Sequence, residues 1–470
     1  MADATTTDTS NPVASAALDS ILTLVGEQPA AGEVSFHGAD PVLPTPFRIG
    51  EFGAASIASA ALMTSRLFEQ RTGRSQRVDV DVDAAAAAMR SSRFLRSDPP
   101  VESARARTVG YYPTLDSRYI FMQRLFPHHF ARQIEVLGCE PNDDAIAAAA
   151  ARWDSQELED AIVAAGACGA VVRTREEWRR HPQSSALAAL PLIEIERIGD
   201  SDPEPVATGE RPLEGLRVLD LTRVLAGPTC ARTLAEQGAD VLRVSSPRMP
   251  DDPVMLRDTG HGKRSAVLDI DAVDQFATLM GLAGEASVFS EGYRPGALDA
   301  RGLGPGDLAR IRPGIVYVSI SAFGRTGPWA GRRGFDSVVQ AASGISDEMG
   351  AGGPPRSLPA NPLDYTTGYL AAFGALVALG RRAREGGSYH VQVSLGRTGA
   401  YLFDLPRTDL PTAYARRAEF AAERETELMI SRDTPFGRLD YLAPAARYSE
   451  TPAVWTRPSV PADNDEAVWA

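Results

Sequence analysis

Between residue 213 and about residue 325 the chain alternates short apolar runs with amphipathic stretches, and this alternation constrains the fold more than any other feature. The runs are "LRVLDL" (216–221), "DVLRV" (240–244), "SAVLDI" (265–270), "ASVFSE" (286–291) and "IVYVSIS" (315–321). Short runs of this kind read as strands buried on both faces. Helical stretches such as "CARTLAEQGA" (230–239), and another from about Val273, separate them. Strands that alternate with helices imply right-handed βαβ crossovers on an open parallel sheet. A helix over about 365–384 and a strand at "YHVQVSL" (389–395) extend this α/β block to about residue 400. Neither G-x-G-x-x-G nor G-x-x-x-x-G-K-[ST] occurs in it, which argues against a dinucleotide redox cofactor and against a nucleoside triphosphatase.

The polar, turn-rich "GDSDPEPVATGERP" ahead of this block reads as a linker over 199–212. Residues 105–198 mix the strand-like "RYIFMQ" with helical stretches and read as a small α+β domain. Residues 13–104 read as a helical segment that closes with a helix–strand unit, and 1–12, rich in Thr, Asp and Ser, as disordered. The tail, 401–470, has turn signals and little periodicity, so it is expected to wrap over the rest. One internal similarity stands out. A shift of 313 residues lays "GRSQRVDV" (73–80) on "GGSYHVQV" (386–393), brings the preceding helices together and puts Glu51 on Asp364.

Composition narrows the function. At 44% hydrophobic and 23% charged the chain is ordinary globular protein, and its net charge of -13 argues against a broad surface for nucleic acid or anionic membrane. A local basic pocket for an anionic ligand stays compatible with that charge. Cys139, Cys168 and Cys230 share no ligand spacing, and the six histidines include only one adjacent pair, His128-His129, so no metal is expected. No secretory signal is visible at the start, and no apolar run is long enough for a bilayer. A cytoplasmic location is the expectation.

"PLEGLRVLDLTRVLAGPTCARTLAEQGADVLRV" (213–244) resembles the opening of a family III CoA-transferase, the group of formyl-CoA transferase, carnitine-CoA transferase and acyl-CoA racemase. The resemblance continues through "HGKRSAVLDI" (261–270), "EGYRPGALDARGLGPGDL" (291–308), "VYVSISAFGRTGPWAGRRGFDSVVQAASG" (316–344), "LDYTTGYLAAFGALVALGRRAREGGSYHVQVSL" (363–395) and "TPFGRLDYL" (434–442). It implies a Rossmann-like CoA-binding domain over 213–400, acyl-CoA and a carboxylic acid as substrates, interlocked homodimers, and an aspartate nucleophile opening the helix matched by 364–384. Asp364 falls on that position. The first half resembles the same family from "GEFGAASIASAALMTSRLFEQR" (50–71) onward, so the small domain precedes the CoA-binding domain and one helix–strand unit occurs twice.

The chemistry suits the choice. An ionised carboxylate attacks an acyl thioester, and the positive end of a helix dipole favours that ionised state by roughly 0.3–1 kcal/mol. By resemblance, Val224, Leu225, Ala226 and Leu268 line the CoA cleft, while Arg248, Lys263, Arg264 and Arg294 are candidates for its phosphates. Lys263 and Arg264 are placed just before the third strand. Glu51 reads as a surface or capping residue. Ser246 stands where formyl-CoA transferase has a basic residue, so formate or oxalate specificity is unsupported. Phe335 replaces the racemases' histidine, which disfavours racemisation. A non-catalytic CoA-binding relative is the remaining alternative.

Overall fold

The computed structural model describes residues 11–101, 109–205, 209–416 and 420–470. Most of the segment read as disordered lies outside these residues. Asn11 does not: its side chain caps the helix Pro12–Thr23, accepting from the Ala14 N–H at 2.8 Å.

The apolar runs form a seven-stranded sheet ordered Lys263–Val267, Asp240–Ser245, Arg217–Asp220, Val288–Glu291, Val316–Ser321, Ser388–Ser394 and Glu194–Gly199. The first six are parallel and the last is antiparallel. In chain order the sheet runs third, second, first, fourth, fifth, sixth. Its direction therefore reverses between Arg217–Asp220 and Val288–Glu291, where an open α/β sheet leaves a crevice at its carboxyl edge. The third strand begins at Lys263, two residues ahead of the "SAVLDI" run, and this draws the Lys263 side chain inside.

Two helices of equal length, Ile49–Thr72 and Pro362–Glu385, pack against one another at the centre. Ile49 and Thr72 correspond to Pro362 and Glu385, 313 positions on in both cases. Each helix is followed by a strand running parallel to its neighbour, Val78–Asp81 beside Val34–His37 and Ser388–Ser394 beside Val316–Ser321. The two halves also exchange strands. Glu194–Gly199, downstream of the first unit, pairs with Ser388–Ser394 of the second, whereas Ala446–Tyr448 of the tail pairs back with Val78–Asp81. Small residues permit this density: a Cβ on Gly374 would sit 2.5 Å from Val391 Cγ1, so only glycine lets the helix lie on the strand.

Residues 109–199 hold a three-stranded antiparallel sheet, Val109–Pro113, Tyr119–Gln123 and Gly169–Val171, with the helices Pro127–Leu137, Asp143–Ala150 and Ser155–Ala164 beside it. The tail contributes the hairpin Met429–Thr434 and Gly437–Leu442, which pairs with Arg96–Asp98. Its last residues cover the sheet edge at Lys263–Val267, where the Ser265 N–H donates to Asp465 Oδ2 and the Asp465 N–H to Ser265 O, both at 2.9 Å. Covering an edge strand removes a template for aggregation. Among the described residues no helix is long and apolar enough to cross a membrane.

Candidate active site

Asp364 is the third residue of the Pro362–Glu385 helix, whose first residue is proline. Its backbone N–H donates to Asp336 Oδ2 at 3.0 Å. The next residue ties the helix start to the first half of the chain: the Tyr365 hydroxyl accepts from Ser91 Oγ and from the Ser92 N–H, both at 3.2 Å. The Asp364 side chain is 7% exposed and lines a cavity of about 400 Å³ at the sheet's reversal point.

The loop after Arg217–Asp220 forms one wall of this cavity. Val224 there has φ 70°, a left-handed backbone that is a true outlier for a β-branched residue and costs on the order of 1–3 kcal/mol. The helix Ala226–Ala235 starts two residues later, and its first-turn amides have no intrahelical partner. Gly368 sets how near this helix comes to Asp364, because a Cβ there would lie 2.3 Å from Ala226 O and 2.7 Å from Thr229 Cβ. Gly368→Ala is therefore expected to push the two helices apart and destabilise the fold by about 1–3 kcal/mol, measured as a lower midpoint of chemical denaturation.

The loop is braced from beneath. Lys263 Nζ donates to Asp220 Oδ2 and to Pro228 O, each at 2.9 Å, and Asp220 Oδ1 accepts from the Thr222 N–H at 3.0 Å. Both ends of this ion pair are buried. Burial pushes the Lys263 ammonium below its ordinary range, while Asp220 pulls it back up.

The charge of the cavity runs against that of the whole chain. Arg223, Arg294, Arg332, Arg333, His128 and His129 line it, against the single carboxylate Asp364. Arg332 is paired with Glu159 and Arg223 with Asp251. The side chains of Arg294, which is exposed, and Arg333, which is half-buried, have no ion pair or hydrogen bond among the described residues. Burial, and then the neighbouring Arg294, push the Arg333 guanidinium below its ordinary value. Two guanidinium groups without a carboxylate partner leave the local potential at this cavity positive.

The sequence-derived candidates separate into two groups. Asp364, Val224, Ala226 and Arg294 meet around the cavity, and Leu225 lines a smaller recess that also reaches Asp364. The others lie apart. Lys263 is spent on Asp220, and Arg264 on Asp240 at 2.9 Å. Arg248 is exposed and pairs with Asp269 and Asp271, and Leu268 belongs to the apolar core. Glu51 is neither a surface residue nor a free cap. It is 1% exposed, accepts from Asn11 Nδ2 at 3.0 Å and from Arg48 at 2.8 Å, and its N–H donates to Asp40 Oδ2 at 2.8 Å. That last bond repeats the Asp364–Asp336 contact, but with the carboxylate walled in.

Sequence reasoning missed the basic groups that face Asp364 from other elements. His128 and His129 stand in the first turn of Pro127–Leu137, and the His129 ring centroid lies 6.1 Å from that of Phe335. His129 is buried, and its Nδ1 has no hydrogen-bond partner among the described residues. Burial, then His128 and Arg333, push its pKa down to about 3. Their adjacency was the only signal in the sequence, and it carries no information about what they face.

An acidic residue opening a buried helix, set in an arginine-lined cavity at the reversal point of a mostly parallel sheet, defines the site of this α/β protein. The family model described as CoA-transferase family III matches residues 24–202 and 213–427. The chain belongs to that family. It is similar to an acyl-CoA transferase of Gibberella moniliformis, 35% identical over 52% of this chain and 46% of that one. It is also similar to the succinyl-CoA:glutarate CoA-transferase of Mus musculus, 35% identical over 41% and 47% of the two chains. A solved CaiB/BaiF family protein from Brucella suis is 32% identical over 41% of this chain and 55% of that one, with a TM-score of 0.38. The chain spans about half the length of the curated relatives it matches. The two matched segments are separated by residues 203–212, so the family model matches on both sides of that stretch.

Proposed function

We propose that the protein moves CoA between an acyl-CoA and a carboxylic acid, with Asp364 as the acyl carrier. The observation that carries this reading is the placement of the Asp364 carboxylate in a cavity that Arg223, Arg294, Arg332 and Arg333 also line, two of these guanidinium groups having no carboxylate partner among the described residues. Those cations suit the phosphates and carboxylates that both substrates bring, and Val224, Leu225, Ala226 and Arg294 are the residues of this chain best placed to meet CoA.

The steps balance without an added acid or base. The Asp364 carboxylate attacks the thioester carbonyl, the C–S bond breaks, and a mixed anhydride and CoA thiolate result. The thiolate attacks the aspartyl carbonyl, expelling the donor acid as its carboxylate and leaving an aspartyl-CoA thioester. The acceptor carboxylate attacks that thioester, releasing thiolate and forming a second mixed anhydride. Attack of the thiolate on the acceptor's carbonyl gives the new acyl-CoA and restores Asp364. Each tetrahedral oxyanion needs donors held in place, a role open to the first-turn amides after Val224.

The test is a panel of acyl-CoA donors and carboxylate acceptors, with new acyl-CoA followed by mass spectrometry. The names of the relatives recommend succinyl-CoA, glutarate and malate for it. CoA that binds without any transfer across the panel would make the protein a non-catalytic relative. A second reading rests on His129, whose imidazole reaches the cavity beside Phe335. Exchange of an acyl-CoA α-proton for deuterium, without acid transfer, would establish an epimerase instead.

Arg333→Ala is expected to weaken CoA binding about 10-fold or more, since hydrogen bonds to charged groups contribute about 1.5–3 kcal/mol. The affinity of the native protein should also fall more steeply with salt than that of the variant. Unchanged affinity would remove Arg333 from the site. The homodimer implied by the resemblance is open to light scattering. Within one chain, Glu194–Gly199 already pairs with Ser388–Ser394, and Ala446–Tyr448 with Val78–Asp81.

A further inference from the structure

A second cavity, of about 360 Å³, lies on the face of the sheet opposite the Pro362–Glu385 helix, and of its lining only Arg294 is assigned a part in CoA transfer above. Its floor is a polar row that crosses four strands in register: Glu291 beside Ser319, Ser319 beside Gln392, and Gln392 beside Glu194. On a parallel sheet covered by helices this face is ordinarily apolar. Here Glu291 is 8% exposed, His390 7% and Gln392 8%.

The polar groups are only partly satisfied by one another. Ser319 Oγ and His390 Nε2 are 2.9 Å apart, and the Tyr293 N–H donates to Glu291 Oε2 at 2.7 Å. Gln392 Nε2, in a side chain more than nine-tenths buried, has no hydrogen-bond partner among the described residues. A buried amide left without a partner is a costly arrangement unless something in the cavity pairs with it.

The charges specify the partner. Glu291 has hydrogen-bond donors around it but no arginine or lysine paired with it, and Asp299 adds a second carboxylate to the wall. Glu194 stands 3.8 Å from Arg325, which is shared with Glu196. Among the described residues, the Gln392 amide and the exposed Arg294 guanidinium are wall donors without a hydrogen-bond or ion-pair partner. Burial raises the Glu291 carboxyl to about 7, and Asp299 adds to that rise. His390 is lowered to about 4 by burial and then by Arg325, so it stays neutral.

We propose that this cavity is a second small-molecule site, taking an amino-carboxylate whose protonated amine meets Glu291 and whose carboxylate meets Gln392 and Arg294. Tyr293, Arg294, Pro295, Ile320 and Ser321 line both cavities, so the ligand would adjoin the active site and share Arg294 with the CoA proposed there.

The probes are 4-aminobutanoate, n-butylammonium and butanoate, titrated calorimetrically into the full chain. 4-Aminobutanoate is expected to bind tightest and butanoate weakest. The affinity of the two amines should rise as pH increases through 7, because Glu291 must lose its proton to hold a cation. Glu291→Gln should weaken amine binding at least 10-fold at pH 8 and flatten that pH dependence, whereas Gln392→Leu should affect 4-aminobutanoate more than butylammonium. Asp364→Ala should leave amine binding unchanged, which separates this site from transfer. Glu291→Gln is expected to stay folded, because it replaces a buried carboxyl with an uncharged group of the same shape, and its melting curve verifies this. Three results would each overturn the proposal: butanoate binding as tightly as 4-aminobutanoate, amine binding unaltered in folded Glu291→Gln, or no heat from any probe at tens of millimolar. The last would leave solvent as the cavity's only occupant.

Discussion

Asp364→Ala is expected to lose CoA transfer by a factor on the order of 10⁴ or more, the scale seen when a covalent nucleophile is removed, while still binding CoA. The native protein, incubated with a donor acyl-CoA and no acceptor, should gain the mass of covalently attached CoA less water, and the variant should not. The side chain is at the third helical position and 7% exposed, so its loss removes few packing atoms. The effect should accordingly appear in turnover and not in melting temperature. Asp364→Asn, which keeps the shape, should be as inactive as alanine. Transfer surviving in both variants would remove Asp364 from the chemistry. It would not redirect attention to Glu51, whose oxygens are already occupied by Asn11 and Arg48.

The largest stability effect is expected at Lys263, the only lysine in the chain. Lys263→Met leaves Asp220, which is fully buried, without its cation, and breaking a buried pair by removing one partner costs about 3–5 kcal/mol. Chemical denaturation should show that loss as a lower midpoint. CoA affinity should fall with it, because Asp220 and Lys263 together fix the turn from Thr222 to Pro228 that carries Val224. The double variant Lys263→Met with Asp220→Leu should recover much of the stability, since an apolar pair of similar volume avoids the desolvation cost. It should not recover CoA binding in full, because the Thr222 N–H then loses its acceptor. A single variant as stable as the native protein would mean that the pair contributes nothing.

Much of the architecture was legible before any coordinate. The strand runs from Leu216 to Ser321 are local in sequence, and their alternation with helices leaves few topologies open. The 313-residue shift was equally visible, because a helix–strand unit keeps its periodicity wherever it lies, and the two helices proved equal in extent to the residue. Asp364 could be located because it opens a helix inside a run of ordered motifs.

The partners of each charge were not legible. Lys263 and Arg264 sit in a sequence context that suits a phosphate-binding pair, yet Asp220 lies 43 residues and Asp240 24 residues away in the chain. Only the lateral order of the strands sets each cation beside its carboxylate. The reverse holds for Arg333, His128 and His129, which look like ordinary charged surface until the small domain folds over the sheet's carboxyl edge and turns them toward Asp364. By itself, then, the sequence determined the repeating elements and the family, because those rest on local periodicity and ordered motifs. The tertiary structure alone decided which cations are spent internally and which are left facing a cavity, because electrostatic energy depends on separation in space and on burial, neither of which is written along the chain.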